Sequence, residues 1–282
     1  MPFEVFEAQS TSILSPTTGF IAQAGFTHSL SPARNCTFGC SYCYVPTMRI
    51  FGGLKPDDWR HWGQFTTVKT NAPELLRREL RANQTIYCSP QVDPYQPAEE
   101  QVQLMPRVLE ALLSRPPRVF VIQTRGPLVL RDLRHLIELS KCTSLRVSFS
   151  ITTNREDVRR LYEPHCAAID VRLDAIRQLR AAGIQTFATL APILPCDPDE
   201  LAARALEATD QNIIGDPLHV RAVKPHGATT REAAVALSNR KEFAAWLDPD
   251  FQAEVTTRIG AAIQKAGRKF ATGTEGFRWL SQ

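Results

Sequence analysis

The sequence lacks any run of about 20 apolar residues, the length that a membrane-spanning helix needs, so no membrane segment is expected. Its first ten residues contain no basic segment followed by an apolar one, which argues against a signal peptide. Linkers, internal repeats and low-complexity stretches are also missing. We therefore expect a cytoplasmic protein that forms a single domain over residues 1–282.

Lysine is scarce: it supplies seven of the 33 basic residues, and arginine supplies the rest. Arginine binds phosphates and carboxylates well because its guanidinium donates two parallel hydrogen bonds. The basic residues are scattered, however, and no run is dense enough to indicate a nucleic-acid surface. A solvated surface is the favoured interpretation, and a nucleic-acid substrate stays open.

The cysteines do not have the pattern of a disulfide framework. Their number is odd, the chain is long, and no secretion signal precedes them. These features favour reduced thiols that bind metal or do chemistry. The seven cysteines lie at positions 36, 40, 43, 88, 142, 166 and 196.

Short apolar runs alternate with amphipathic stretches along most of the chain. Strands are predicted at about Thr27–Ala33 and at Gln84–Cys88, Arg118–Thr124, Leu145–Ile151, Ile184–Leu190 and Pro217–Val223. Helices are predicted at Ala72–Ala82, Ala98–Ser114, Leu128–Cys142, Ala168–Ala182 and Pro198–Thr209. Such alternation favours a parallel sheet with right-handed crossovers.

Six β/α repeats are too few for the usual eight-stranded barrel. The predicted fold class is therefore α/β, an open, partial (β/α)6 TIM-like barrel with parallel strands. Residues 1–26 are expected to form an irregular lead-in segment, and residues 27–223 the barrel core. Residues 231–268 are expected to form two C-terminal helices, Arg231–Trp246 and Phe251–Ala266.

The motif with the most specific spacing is C-x3-C-x2-C, formed by Cys36, Cys40 and Cys43. Three thiolates on one short loop can hold three irons of a cubane cluster and leave the fourth iron open. Gly39 lets the backbone fold tightly between them. Zinc stays an alternative, with His28 or His61 as a fourth ligand, although no second cysteine pair stands nearby.

The loop resembles the signature of the radical S-adenosylmethionine (SAM) superfamily, and longer matches resemble its spore photoproduct lyase-like branch. The matching segments include Asn35–Tyr44, Val68–Leu76, Asp93–Glu99, Thr124–Asp132, Ser148–Thr152, Glu163–Pro164, Arg172–Ile176 and Leu190–Pro195. The resemblance implies a [4Fe–4S] cluster on the three cysteines, with SAM at the open iron. It also implies a reducing partner such as flavodoxin or ferredoxin, and cleavage of SAM to methionine and a 5′-deoxyadenosyl radical that takes hydrogen from a substrate.

The resemblance implies further roles at the strand ends. Asp93 is expected to receive the amino group of SAM, Arg125 its carboxylate, and Ser150 to add a hydroxyl contact. Each of these could instead be an ordinary polar residue at a turn or strand end. Tyr44 is expected near the adenine or the cluster, or else in the core. Arg172 is a weaker candidate for binding SAM, and the alternative is an arginine solvated on a helix.

Cys88 resembles the cysteine with which spore photoproduct lyase returns a hydrogen atom to its substrate radical. The alternative is a small buried apolar residue, which free cysteine often is. Cys196 is expected at the mouth of the barrel, Cys142 at the opposite end, and Cys166 in a helix-side loop. Because these thiols do not converge, no second cluster is expected.

The sequence therefore predicts a radical SAM enzyme that cleaves SAM reductively and abstracts hydrogen from an unidentified substrate. A narrower alternative is repair of a DNA photoproduct with Cys88 as hydrogen donor, against which the chain is short and shows no evident DNA-reading hairpin. A rival from another class is a non-catalytic metal-binding module that binds nucleic acid.

Overall fold

A computed structural model describes residues 3–47, 61–220, 229–240 and 242–282. The strands are β1 (Glu4–Ala8), β2 (Leu14–Pro16), β3 (His28–Leu30), β4 (Ala33–Arg34), β5 (Phe65–Lys69), β6 (Thr85–Cys88), β7 (Val119–Thr124), β8 (Ser144–Ser150), β9 (Gln185–Ile193), β10 (Ile213–Pro217) and β11 (Phe270–Thr272). The α-helices are Gly19–Gln23, Ala72–Glu79, Glu99–Val102, Leu104–Ser114, Leu133–Ser140, Glu156–Tyr162, Ile169–Ala181, Pro198–Ala208, Glu232–Ser238, Pro249–Lys265 and Gly273–Arg278. None of these helices is long and apolar enough to cross a membrane.

The main sheet is open and mostly parallel. Its order is β11-β10-β9-β8-β7-β6-β3-β2, and every neighbouring pair is parallel except β2 with β3. Six of its strands, β3 and β6 to β10, follow one another in space in the order of the chain. The predicted open, partial barrel of six parallel strands is therefore confirmed.

Alternating side chains divide the core between the two faces of this sheet. Ile86, Phe120 and Val147 pack with the apolar faces of the helices. On the other face, Tyr87 and Val121 lie in a smaller apolar cluster near the strand starts. Both faces are buried, as is typical of parallel sheets. Because apolar residues fill the region near the strand starts, the polar side chains of this face lie towards the strand ends.

The prediction of an irregular lead-in over residues 1–26 is wrong. Strand β1 pairs in parallel with β5, β2 joins the main sheet, and a short helix begins at Gly19. Four of the five residues of β1 are exposed, so its sequence carries no alternation between buried and exposed positions. The strand forms because β5, about 60 residues later, supplies its hydrogen-bonding partner.

Other element bounds differ where turn residues obscure the pattern. The sixth parallel strand is Ile213–Pro217 rather than Pro217–Val223, and residues 221–223 lie outside the described residues. The helix predicted at 98–114 is divided at Gln103, whose φ is +50°. The predicted helix 231–246 is reduced to Glu232–Ser238 followed by a 3-10 turn at Ala244–Leu247.

Candidate functional site

The loop from Cys36 to Cys43 folds through two successive turns. Gly39 N donates to Cys36 O at 3.2 Å, and Cys43 N donates to Cys40 O at 3.2 Å. Cys36 and Cys40 are buried and Cys43 is half-buried. Burial, with a smaller contribution from the neighbouring Cys40, raises the pKa of the Cys43 thiol to about 12. A thiolate at Cys43 therefore needs a positively charged group to stabilise it, as a metal centre would.

The spacing of the three thiols is compatible with a multi-iron group. Their sulfurs do not all lie within 4.8 Å of one another. A tetrahedral zinc ion, with Zn–S of about 2.3 Å, needs sulfurs about 3.8 Å apart. A cubane cluster binds each thiolate at a separate iron and so accepts a wider spacing. His28 and His61 bond to Thr27 and Gln64 respectively and join no group of metal-ligating atoms among the described residues.

Two glycines shape the loop. Gly39 has φ of +60°, and its backbone passes directly over that of Gly63. A Cβ at Gly63 would lie 2.7 Å from Gly39 Cα, a distance that no side chain tolerates. Sequence reasoning identified Gly39 but missed Gly63, because the contact joins residues that are 24 positions apart.

Buried polar groups fasten the loop to its neighbours. Asn35, with φ of +61°, is fully buried, and its Oδ1 accepts from Cys36 N at 2.8 Å. Thr66 Oγ1, in β5, donates to Asn35 O at 3.1 Å. Gln96 Oε1 accepts from Thr37 N at 2.7 Å. The loop is thus fixed from both sides.

Glu163 is the centre of a buried network behind the loop. Tyr42 OH and Arg125 Nη1 donate to its Oε1, the latter at 2.7 Å, and Thr152 Oγ1 donates at 2.9 Å. Arg172 Nη2 lies 2.8 Å from Oε2. Burial alone would raise the pKa of this carboxyl, but Arg172 and Arg125, with the two hydroxyl donors, lower it to about 2. The carboxylate is therefore ionised, and it connects the cysteine loop, the segments that follow β7 and β8, and the helix Ile169–Ala181.

The alternative of a solvated Arg172 does not hold, because its side chain is fully buried against Glu163. A sequence signal was available. Arg172 lies three residues after Ile169 and four before Ile176, so it shares the buried face of the helix Ile169–Ala181. An arginine on an apolar helix face requires a buried carboxylate partner.

Asp93 lies at the end of the sheet with three protein donors on its carboxylate. Tyr95 N donates at 2.9 Å, Thr124 Oγ1 at 2.7 Å and Arg125 N at 2.8 Å. Burial raises the pKa of this carboxyl above its usual range, and the donors oppose that effect. Since a carboxylate offers about four acceptor positions, one position stays available for an ammonium group.

Arg125 lies between two carboxylates. Its Nη1 binds Glu163, and its Nε lies 4.0 Å from Asp93 Oδ2. Its guanidinium also stacks at 5.6 Å from the centre of the Tyr42 ring. The side chain is 17% exposed, so some of its N–H groups can still reach a ligand. Arg125 therefore joins Asp93 to the cysteine loop.

Ser150 belongs to a polar row on the face that carries Tyr87. Tyr87 OH donates to Gln123 Oε1 at 2.8 Å, and Gln123 Nε2 donates to Ser150 Oγ at 2.9 Å. Sequence reasoning missed Tyr87 and Gln123, although the period-2 alternation of strands places them on the same face. The row gives Ser150 a fixed orientation at the end of β8.

Tyr44 and Cys88 lie on either side of the turn after β6. Tyr44 is partly exposed, and its OH donates to Pro90 O. Cys88 is fully buried and ends β6, and alternation sets it on the opposite face from Tyr87. Burial, and then Asp93, raises the pKa of its thiol. The hydrogen-donor role of Cys88 stays a prediction.

Cys166 lies in a loop after the helix Glu156–Tyr162, as predicted, but that loop packs against the cysteine loop. Its Sγ, the Cys40 Sγ and an oxygen of Glu163 all lie within 4.8 Å of one another. Cys166 also lines a cavity of about 410 Å³ together with Phe38 and His165. This fourth thiol was not expected beside the other three.

The sequence profile of the Radical SAM superfamily matches residues 30–207. An uncharacterized protein of Mycobacterium tuberculosis is 29% identical over 174 residues, which cover 60% of this chain and 50% of that protein. An uncharacterized protein of Methanocaldococcus jannaschii is 27% identical over 192 residues, which cover 68% of each chain. This chain thus spans about half the length of its mycobacterial relative.

Solved structures of spore photoproduct lyase share the fold. The lyase complexed with dinucleoside spore photoproduct superposes with a TM-score of 0.63 at 14% identity, over 95% of this chain and 81% of that chain. A mutant of the same lyase with bound AdoMet and dinucleoside spore photoproduct gives the same TM-score, identity and coverage. At this identity the likeness concerns the fold.

Proposed function

Because this chain belongs to the radical SAM superfamily, whose members use a [4Fe–4S] cluster and SAM, we propose that it cleaves SAM reductively to start radical chemistry on a substrate. When bound, the cluster supplies the electron that splits SAM into methionine and a 5′-deoxyadenosyl radical, which then takes a hydrogen atom from the substrate. The observation that carries the proposal is the position of Arg125, which binds Tyr42 of the cysteine loop and lies beside Asp93. Arg125 thus connects the cysteine loop to the carboxylate of Asp93 at the carboxyl ends of the strands.

We assign the cluster to Cys36, Cys40 and Cys43. The two turns of the loop, the close passage of Gly39 over Gly63 and the spacing of the sulfurs support this assignment. Three thiolates leave one iron of a cubane without a protein ligand. That iron is where the amino and carboxylate groups of SAM would bind.

The same geometry supports roles for the SAM-binding candidates. Asp93 keeps one acceptor position for the SAM ammonium, and Arg125 has N–H donors to spare for the SAM carboxylate. Ser150 is held by Gln123 at the end of β8, where a hydroxyl can reach a bound ligand. Tyr44 is partly exposed beside the cysteine loop and would contact the adenine.

Two partners follow from this chemistry. The first is an electron carrier such as flavodoxin or ferredoxin, because reductive cleavage of SAM consumes an electron that has to be delivered to the cluster. The second partner is the substrate, for which a nucleic acid is one candidate. A salt-dependent affinity for DNA or RNA would support that candidate.

The test is anaerobic reconstitution with iron and sulfide, followed by dithionite and SAM, with chromatography for 5′-deoxyadenosine. The full chain should produce 5′-deoxyadenosine and show cubane iron. Cys40→Ala should lose both, while Cys142→Ala, which removes an exposed thiol next to the start of β8, should retain both. About one zinc per chain, with no cubane iron and no product, would refute the proposal and leave a structural metal site.

A further inference from the structure

The thiols of Cys40 and Cys166 lie side by side although 126 residues separate them in the chain. Their sulfurs are within 4.8 Å of each other, and both side chains are buried. Hydrogen bonds keep the two segments together: Ser41 N donates to Tyr162 O at 2.9 Å, and Tyr42 OH donates to Glu163 Oε1. The pair is therefore a fixed feature of the packing.

A third potential ligand, Glu163, lies beside this pair but is already engaged. Its Oε1 accepts from Arg125 and Thr152, and its Oε2 faces Arg172. A carboxylate held by two arginines is a poor ligand for an added cation. What stays available at this place is the chemistry of two adjacent thiols.

Two thiols this close can form a disulfide after small side-chain rotations, since the S–S bond is about 2.05 Å long. An oxidant can reach Cys166, because this residue lines the cavity of about 410 Å³, next to Phe38 and His165. Cys36 and Cys43 are not among the residues that line this cavity. A small oxidant entering there meets Cys166 first, and the neighbouring thiol of Cys40 lies within 4.8 Å of it.

We propose that in the cluster-free protein hydrogen peroxide oxidises Cys40 and Cys166 to a disulfide. One sulfur takes an oxygen from peroxide to become a sulfenic acid, and the first water leaves. The second thiol attacks that sulfur, the S–O bond breaks, and the second water leaves. Two thiols and one peroxide thus give one disulfide and two waters, and a dithiol reductant reverses the change.

This inference rests on the proposed function only in taking Cys40 as a cluster ligand. The disulfide removes Cys40 from the set of cluster ligands and so stops cluster assembly under oxidising conditions. It also protects Cys40 from irreversible oxidation to the sulfinic acid. Cys166 is then a resolving cysteine for the cluster site, a role distinct from iron binding.

The test uses the full chain, reconstituted, then stripped of its iron with a chelator and exposed in the cluster-free state to hydrogen peroxide. Iodoacetamide then traps the free thiols, and the protein is digested without reductant. Mass spectrometry should find a Cys40–Cys166 cross-linked peptide in the wild-type protein and in the matched control Cys142→Ala. Cys166→Ala and Cys166→Ser should lack that peptide. After dithiothreitol and renewed reconstitution, the wild-type protein should recover its iron content, and both Cys166 variants should recover much less.

Several results would overturn the inference. A disulfide within the loop as the main product, such as Cys36–Cys40, would show that Cys166 is not the partner. Equal recovery of iron in Cys166→Ala and the wild-type protein would show that Cys166 does not protect Cys40 from irreversible oxidation. If folded Cys166→Ala fails to bind a cluster before any peroxide is added, Cys166 is itself a cluster ligand. If the wild-type protein binds no cluster, the proposed function fails, while peptide mapping still decides whether the disulfide forms.

Discussion

Replacing Glu163 with glutamine keeps the shape of the side chain and removes its charge. In the folded protein the carboxylate lies between Arg125 and Arg172, and the Arg172 side chain is fully buried. Glutamine leaves Arg172 as a buried cation without an anionic partner. Breaking a buried ion pair on one side costs about 3–5 kcal/mol.

The pKa of Glu163 gives an independent figure. The folded protein holds this carboxyl at a pKa of about 2, below its ordinary value of 4.5. At 1.36 kcal/mol for each pKa unit, that difference corresponds to about 3 kcal/mol of preference for the ionised form. The two quantities differ but are of the same order, and we expect Glu163→Gln to lower the free energy of unfolding by about 3–5 kcal/mol. At about 2–4 °C per kcal/mol in a protein of this size, the Tm falls by about 6–20 °C.

The effect depends on pH with a definite sign. Because the folded-state pKa is depressed, the stabilisation is fully present above about pH 4.5 and is lost as the pH falls towards 2. The Tm difference between the wild-type protein and Glu163→Gln should therefore be constant from pH 8 to about pH 5 and shrink below that. Calorimetric melts over this range measure it.

Asp199→Asn is the matched control, since it neutralises one carboxylate of an exposed pair with Arg258. Exposed pairs contribute little to stability because water and salt screen them. Its Tm should not change measurably. Equal Tm values for Glu163→Gln and Asp199→Asn at pH 7 would refute the reasoning about the Glu163 network.

Three further predictions concern the site. Cys88→Ala should leave the release of 5′-deoxyadenosine unchanged. If the variant is folded, as checked by circular dichroism, but no longer releases 5′-deoxyadenosine, the hydrogen-donor role is contradicted. Ser150→Ala removes one hydrogen-bonding group, worth about 1–1.5 kcal/mol. The Kd for SAM, measured by calorimetric titration, should therefore rise up to about tenfold. An unchanged Kd would exclude a direct contact between Ser150 and SAM. Gly63→Ala should lower the amount of bound iron, because the new Cβ would collide with Gly39. Gly183→Ala is the control: Gly183 also has a positive φ but faces open space, so this variant should bind iron normally. Equal iron contents in the two variants would contradict this role of Gly63.

The sequence by itself determined the features that are encoded locally. The succession of strands and helices along the chain follows from alternating apolar and amphipathic segments, because the hydrophobic period of each segment depends only on its own residues. The three cysteines of the loop are specified by spacing within eight residues. The cap of the helix Pro198–Ala208 is local too, since Asp197 accepts from Asp199 N and Glu200 N.

The tertiary structure decided which distant residues meet. Cys166 lies 126 residues after Cys40, and Glu163 lies 121 residues after Tyr42. No local pattern relates such residues, because they meet only when the ends of parallel strands and their following loops converge at one edge of the sheet. Strand β1 shows the same limit, since a mostly exposed strand is defined by its partner rather than by its own pattern. The buried charges of Glu163 and Arg172 are tolerated for the same reason: packing brings opposite charges together where water is excluded.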